Sequence, residues 1–176
     1  MKIIISLFAG LFLFAFAGGG KVFAQHRNLT IILLRHAEKD ASPTADKVNP
    51  ELSADGRQRA QKLVRVIKKY KPNAIYSSDF IRTKTTVAPL AEKRKLTVQV
   101  YNHRDLKALA DLIMSGRIKR LVIVGHNTTT PALVNLLIGQ EKYKALAESE
   151  YDKIFVLKIK KKKTAPNKIK EKIITY

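Results

Sequence analysis

A three-layer α/β/α domain built on a mostly parallel sheet is the fold class this chain predicts, and three observations carry it. Between Leu29 and Ile138, short apolar runs alternate with stretches whose apolar residues recur at helical spacing. The strand-like runs are continuous rather than alternating, as expected of strands covered on both faces. From Tyr151 onward the period becomes strand-like again, and Ile169 to Tyr176 can return across Thr164-Ala165-Pro166-Asn167 as a C-terminal β-hairpin. Strand-helix repetition of this kind calls for right-handed crossovers within one sheet.

The elements follow in order. Met1-Lys2 is a short positive start, Ile3 to Gly18 is almost wholly apolar, and Val22-Phe23-Ala24 has the spacing of a signal-peptidase site. Residues 1–24 are therefore expected to be a signal peptide cleaved before Gln25, leaving an exported domain of residues 25–176 in a periplasmic or extracellular setting. Leu29 to Leu34 reads as a buried strand. After a polar loop with Pro43 and Pro50, Ser53 can cap a helix whose Ala60, Leu63, Val64 and Ile67 form one stripe, with Pro72 beyond its end.

Ala74-Ile75-Tyr76 is a short strand, and Ser77-Ser78-Asp79 offers caps for a helix carrying Arg82. Leu96 to Val100 is a further strand. Leu106, Leu109, Ala110, Ile113 and Met114 make a second helical stripe, closed by Gly116. Leu121 to Val124 is strongly strand-like. Thr128-Thr129-Thr130-Pro131 starts a last helix, stopped by Gly139.

Composition narrows the function classes. The 34 basic residues against 14 acidic ones give a net charge of +20, and cleavage would remove only Lys2 and Lys21, leaving +18. That excess attracts anionic partners: phosphorylated metabolites or proteins, or weakly an anionic membrane or lipopolysaccharide surface. Nucleic acid is not expected, because no aromatic platform or recognisable binding motif accompanies the charge. Without cysteine the chain has no disulfide framework, so packing must hold it together.

Two strands end in histidine. Leu33-Leu34-Arg35-His36 and Val122-Ile123-Val124-Gly125-His126-Asn127 each place an imidazole where an apolar run stops. At the carboxyl ends of neighbouring parallel strands such groups converge on one crevice. An unprotonated His36 can attack phosphorus, while Arg35, Arg82, His126 and Asn127 surround the equatorial oxygens. Arg35 also disfavours protonation of His36 through like-charge repulsion. The helix starting near Thr128 adds free N–H groups and the positive end of its dipole. With these donors no cofactor is expected and no metal is required; no HExxH or paired-carboxylate spacing supplies a ligand set. Serine hydrolysis is unsupported, since no serine stands in a nucleophile-elbow sequence.

Four ordered blocks resemble the histidine phosphatase superfamily, also called phosphoglycerate mutase-like. They are Leu34-Arg35-His36-Ala37-Glu38-Lys39, Leu52-Ser53-Ala54-Asp55-Gly56-Arg57-Gln58-Arg59-Ala60, Ile75-Tyr76-Ser77-Ser78-Asp79-Phe80-Ile81-Arg82-Thr83-Lys84-Thr85 and Val124-Gly125-His126-Asn127. The short RHAEK form is similar to phosphohistidine phosphatases, which lack a large inserted cap. The resemblance implies a phosphohistidine on His36, a phosphate pocket of Arg35, Arg82 and His126, and hydrolysis by water in a second step. It also implies a carboxylate acid after the third strand, commonly glutamate. Here that stretch reads Tyr101-Asn102-His103-Arg104-Asp105-Leu106, so Asp105 is the candidate acid and His103 the reserve.

A weak acid position favours labile substrates, because a phosphoramidate or acyl phosphate departs without the proton an alkoxide needs. Two other readings stand beside the enzyme. One is a non-catalytic phosphate- or envelope-binding protein that keeps the anion pocket. The other is a basic surface protein acting through Lys160 to Lys163, a run otherwise explained as a solvated turn or protected edge.

Overall fold

In the computed structural model, which describes residues 28–162 and 164–176, six strands form one sheet in the order β3-β2-β4-β1-β5-β6. The predicted signal peptide lies outside the described residues. In chain order the elements are β1 (Asn28–Arg35), α1 (Ala54–Ile67), β2 (Ala74–Ser78), α2 (Ile81–Arg94), β3 (Val98–Tyr101), α3 (Leu106–Met114), β4 (Arg120–Gly125), α4 (Thr129–Ile138), β5 (Lys153–Lys160) and β6 (Lys168–Thr175). The β1–β4, β2–β4 and β2–β3 pairings are parallel, and the hairpin strand β5 runs antiparallel to both β1 and β6. The expected three-layer architecture is present, with a mixed sheet.

Successive side chains of β1 and β4 point to opposite faces, and both faces are covered. Ile32, Leu34, Val122 and Val124 meet Leu63 and Ile67 of α1 and Val87 and Leu90 of α2. Ile31, Leu33, Leu121 and Ile123 meet Leu109 and Ile113 of α3 and Leu133, Val134 and Leu137 of α4. The chain thus leaves β1 toward one helical layer and β4 toward the other. That divergence opens a crevice at the carboxyl ends of two adjacent strands.

Local chemistry sets the boundaries near that crevice. Ser53 caps α1, its Oγ accepting from the Gly56 N–H at 3.1 Å. Gly56 itself is required by close approach, because a Cβ there would lie 2.1 Å from the Glu38 carbonyl oxygen. This draws α1 against the loop after β1. Lys71, in the left-handed region at φ 48°, ends the turn after α1, and Gly139 at φ 70° ends α4.

One boundary corrects the sequence reading. Ser77 and Ser78 are fully buried in β2 rather than capping α2, whose N-cap position is Phe80 with no side-chain cap. Pairing of Ser77 with Val124, and of Ser78 with Tyr101, carries the strand two residues past Tyr76. The hydroxyls are satisfied internally, Ser77 donating to the Ser78 carbonyl at 2.9 Å.

Candidate active site

Register brings the two strand-terminal histidines together. Arg35 pairs with Gly125 across β1 and β4, so His36 and His126 are each the next residue at the same end of the sheet. The His36 N–H donates to the Gly125 carbonyl at 3.0 Å, and the two imidazole centroids stand 5.5 Å apart. A side chain at Gly125 would displace its neighbours, since a Cβ would lie 2.8 Å from Thr129 Oγ1 and 2.9 Å from the Tyr101 hydroxyl.

His36 is held in one tautomer. Its Nδ1 lies 2.8 Å from the Ala37 carbonyl, which can only accept, so Nδ1 carries the proton and Nε2 keeps its lone pair. The ring is 4 % exposed. Burial drives its pKa from the ordinary 6.5 down to about 3; the bond to Ala37 opposes the shift, and the charges of Arg82, Arg35 and His126 reinforce it. Repulsion from Arg35, expected from sequence, is therefore a smaller contribution than loss of water.

Arg82 enters from the first turn of α2. Its backbone is tied to the nucleophile's loop through Thr86, whose Oγ1 accepts from the Ala37 N–H at 2.9 Å and donates to the Arg82 carbonyl at 2.7 Å. The guanidinium lies 4.4 Å from the Phe80 ring centroid. Its Nε and Nη1 are buried and make no hydrogen bond. Burial and the neighbouring Arg35 charge lower its pKa, though not enough to discharge a guanidinium.

His126 is positioned by its backbone and one nitrogen. Its N–H donates to Thr129 Oγ1 at 2.9 Å, and Nε2 stands 3.0 Å from Ser78 Oγ. Burial first, then Arg82, His103 and Arg35, push its pKa down to about 4. Phe80 packs edge-on against this ring at 4.8 Å, and His103 lies at 5.8 Å.

Arg35 divides its donors between the site and a loop. Nη1 donates to the carbonyls of Ala147 and Glu148, both at 2.9 Å, and of Glu150 at 3.3 Å. Nη2 donates to the Glu148 carboxylate at 3.0 Å, whereas Nε is buried without a partner. Tyr151 lies under the guanidinium at 4.0 Å and near His36 at 6.0 Å. Asn127 Nδ2 donates to the other Glu148 oxygen at 2.9 Å, so one carboxylate bridges two residues expected to bind phosphate.

Of the residues singled out by sequence, His36, Arg35, Arg82 and His126 form one cluster, with Asn127 at its rim. Asp105 is placed otherwise. It is the exposed N-cap of α3, accepting from the Ala108 N–H at 3.0 Å, and it makes no hydrogen bond or ion pair with the cluster among the described residues. The reserve candidate, His103, is the one in ring contact with His126. Sequence reasoning gave no role to Phe80, although it stood inside the third block, and read Ser78 only as a cap. It also missed Glu148, which lies in an aperiodic stretch with no signal of its own, and read Tyr151 only as the start of the strand that in fact begins at Lys153.

Residues 31–107 match the model of the histidine phosphatase superfamily (branch 1), a span that holds three of the four blocks. The chain matches the histidine phosphatase superfamily. Solved structures show the same fold. A mycobacterial glucosyl-3-phosphoglycerate phosphatase aligns with TM-score 0.62 at 20% identity, over 76% of this chain and 91% of that one. The same protein with inorganic phosphate gives 0.59 at 19%, over 86% and 97%. The protein histidine phosphatase SixA complexed with tungstate gives 0.60 at 13%, over 84% and 97%. No curated protein sequence matches the chain.

Proposed function

We propose that this chain of the histidine phosphatase superfamily is an exported, metal-independent phosphatase working through a phosphohistidine on His36. One observation carries the proposal. Three guanidinium nitrogens, Nε of Arg35 and Nε and Nη1 of Arg82, are buried unpaired beside an imidazole whose Nε2 is free to attack. Leaving buried charged donors unmade costs stability, and a tetrahedral oxyanion would relieve it. Relatives of this fold solved with phosphate and tungstate are consistent with such a ligand.

In the first step the Nε2 lone pair forms a bond to phosphorus and the bond to the leaving group breaks. The proton stays on Nδ1, donated in a hydrogen bond to the Ala37 carbonyl, which supports positive charge on the ring. Arg82 and Arg35 Nε face charge spread over the equatorial oxygens, and a bound dianion raises the pKa of His126 so that it can donate. In the second step water attacks phosphorus, the N–P bond breaks, and phosphate leaves with neutral His36 restored.

With Asp105 engaged as a cap and the Glu148 carboxylate held by Arg35 and Asn127, neither is free to protonate an alkoxide. Acyl phosphates and phosphoramidates, which need less proton assistance, are the favoured substrates, whether on a small molecule or a phosphoprotein. Export rests on the sequence of residues 1–24 and predicts a mature N-terminus at Gln25.

Incubation with radiolabelled acetyl phosphate tests the mechanism. An acid-labile protein label is expected, with turnover faster than on an alkyl phosphate. His36→Ala, folded by circular dichroism, is expected to lose the label and at least about 10³-fold in turnover. Absence of label in the parent chain would leave only the phosphate-binding reading.

A further inference from the structure

The hairpin strands carry a second cation cluster that the pocket does not use. Lys158 is registered directly opposite Lys170, and Lys160 opposite Lys168, across β5 and β6. Lys172 follows on the same face, opposite Val156. All five lysines are exposed. Directly opposed side chains stand about 5 Å apart at Cβ, so these like-charge pairs oppose the fold that contains them.

Edge protection explains only part of this. Lysines on β6 guard an edge strand against pairing, but Lys158 and Lys160 belong to β5, which is already paired on both sides. Nor does an acid neutralise the face. The sole acidic residue of the two strands, Glu171, is registered opposite Leu157, and its carboxylate is held by Lys142 and, at 2.8 Å, by the Tyr143 hydroxyl.

The lysines line shallow depressions rather than a flat wall. One of about 450 Å³ lies between Asn28, Thr30, Lys158, Lys160, Lys168 and Lys170. A second, of about 290 Å³, is lined by Tyr70, Val156, Lys158, Lys170, Glu171 and Lys172. Tyr70 is half-buried, with the Lys69 ammonium 5.4 Å from its ring. An amphipathic ring ringed by ammonium groups suits a headgroup layer.

We infer that this lysine face docks the protein on a bilayer rich in anionic phospholipid. The face offers lysine point charges with no arginine fork, fitting mobile headgroups better than one fixed oxyanion. The chain enters β1 at Asn28 on this same face. Orientation follows from the strands. Asn28 begins β1 and His36 follows its end, so the lysine pairs and the pocket lie toward opposite ends of the strand.

The test is co-sedimentation of the mature chain from Gln25 with phosphatidylcholine vesicles with or without phosphatidylglycerol, at low and high salt. At least about tenfold stronger partition onto the anionic vesicles, weakened by salt, is expected. The informative variant combines Lys168→Glu and Lys170→Glu, which converts both like-charge pairs to opposite-charge pairs. The fold is kept while at least about tenfold of the anionic partition is lost, and turnover of a soluble acyl phosphate is unchanged. Equal partition onto neutral vesicles, full retention by the double variant, or salt-dependent binding to duplex DNA without binding to anionic vesicles would each overturn the inference.

Discussion

The pocket between β1 and β4 and the lysine face of β5 and β6 are both cation-rich, yet they behave as opposites. In the pocket the charges are dehydrated, and desolvation holds two imidazoles neutral and leaves guanidinium donors unpaired. On the hairpin the charges are exposed to solvent. Burial turns positive charge into a directional site for one small anion. Exposure leaves it a diffuse attraction that salt can screen.

The contrast breaks most visibly at Arg82. Arg82→Ala is expected to lower kcat on acyl phosphate by about 10²- to 10³-fold, the typical loss for one preorganised donor. The same change should leave Tm unchanged or raise it, because it removes two buried, unpaired donors of a half-buried guanidinium. A calorimetric scan beside steady-state kinetics checks both; a large drop in Tm would mean that the guanidinium is structural.

A smaller effect lies in pH. The folded-state values of about 3 for His36 and about 4 for His126 lie below the unfolded 6.5. Between these limits the unfolded chain binds more protons, so stability is fully present above about 6.5 and falls as pH is lowered toward 4. The loss is on the order of a few kcal/mol for the two rings together. Saturating phosphate should shrink it by raising both imidazole pKa values. Tm against pH, with and without phosphate, gives the answer; a flat profile would contradict the buried neutral pair.

The smallest effect concerns Asp105, outside both regions. Asp105→Ala should cost about 1 kcal/mol, as loss of an N-cap does, and Asp105→Asn much less. Neither should change kcat on acyl phosphate. A shared collapse of kcat on an alkyl phosphate would instead make the carboxylate the acid.

Much of the pocket was legible because its residues sit in local patterns. Arg35-His36 and Gly125-His126 each end a run of branched apolar residues, and adjacent parallel strands force such ends together. Arg82 was readable from its place near a helix start. The roles of Glu148 and Tyr151 were not, because both reach Arg35 from over a hundred residues away, Glu148 from a loop without period and Tyr151 from just before β5, where it read only as strand. Ser78 was misread for a related reason. A serine after a short apolar run has the local chemistry of a cap, and only cross-strand pairing with Tyr101 and the imidazole at 3.0 Å make it part of the sheet and the site.

Sequence alone determined the α/β class, the order of elements, the strand-terminal histidines and the basic excess, because periodicity, capping chemistry and charge are local properties. The structure decided which chemistry those residues have. Tautomer, depressed imidazole pKa, orphaned guanidinium nitrogens and facing lysines all depend on burial and register. Those are relations between segments that no single stretch of chain contains.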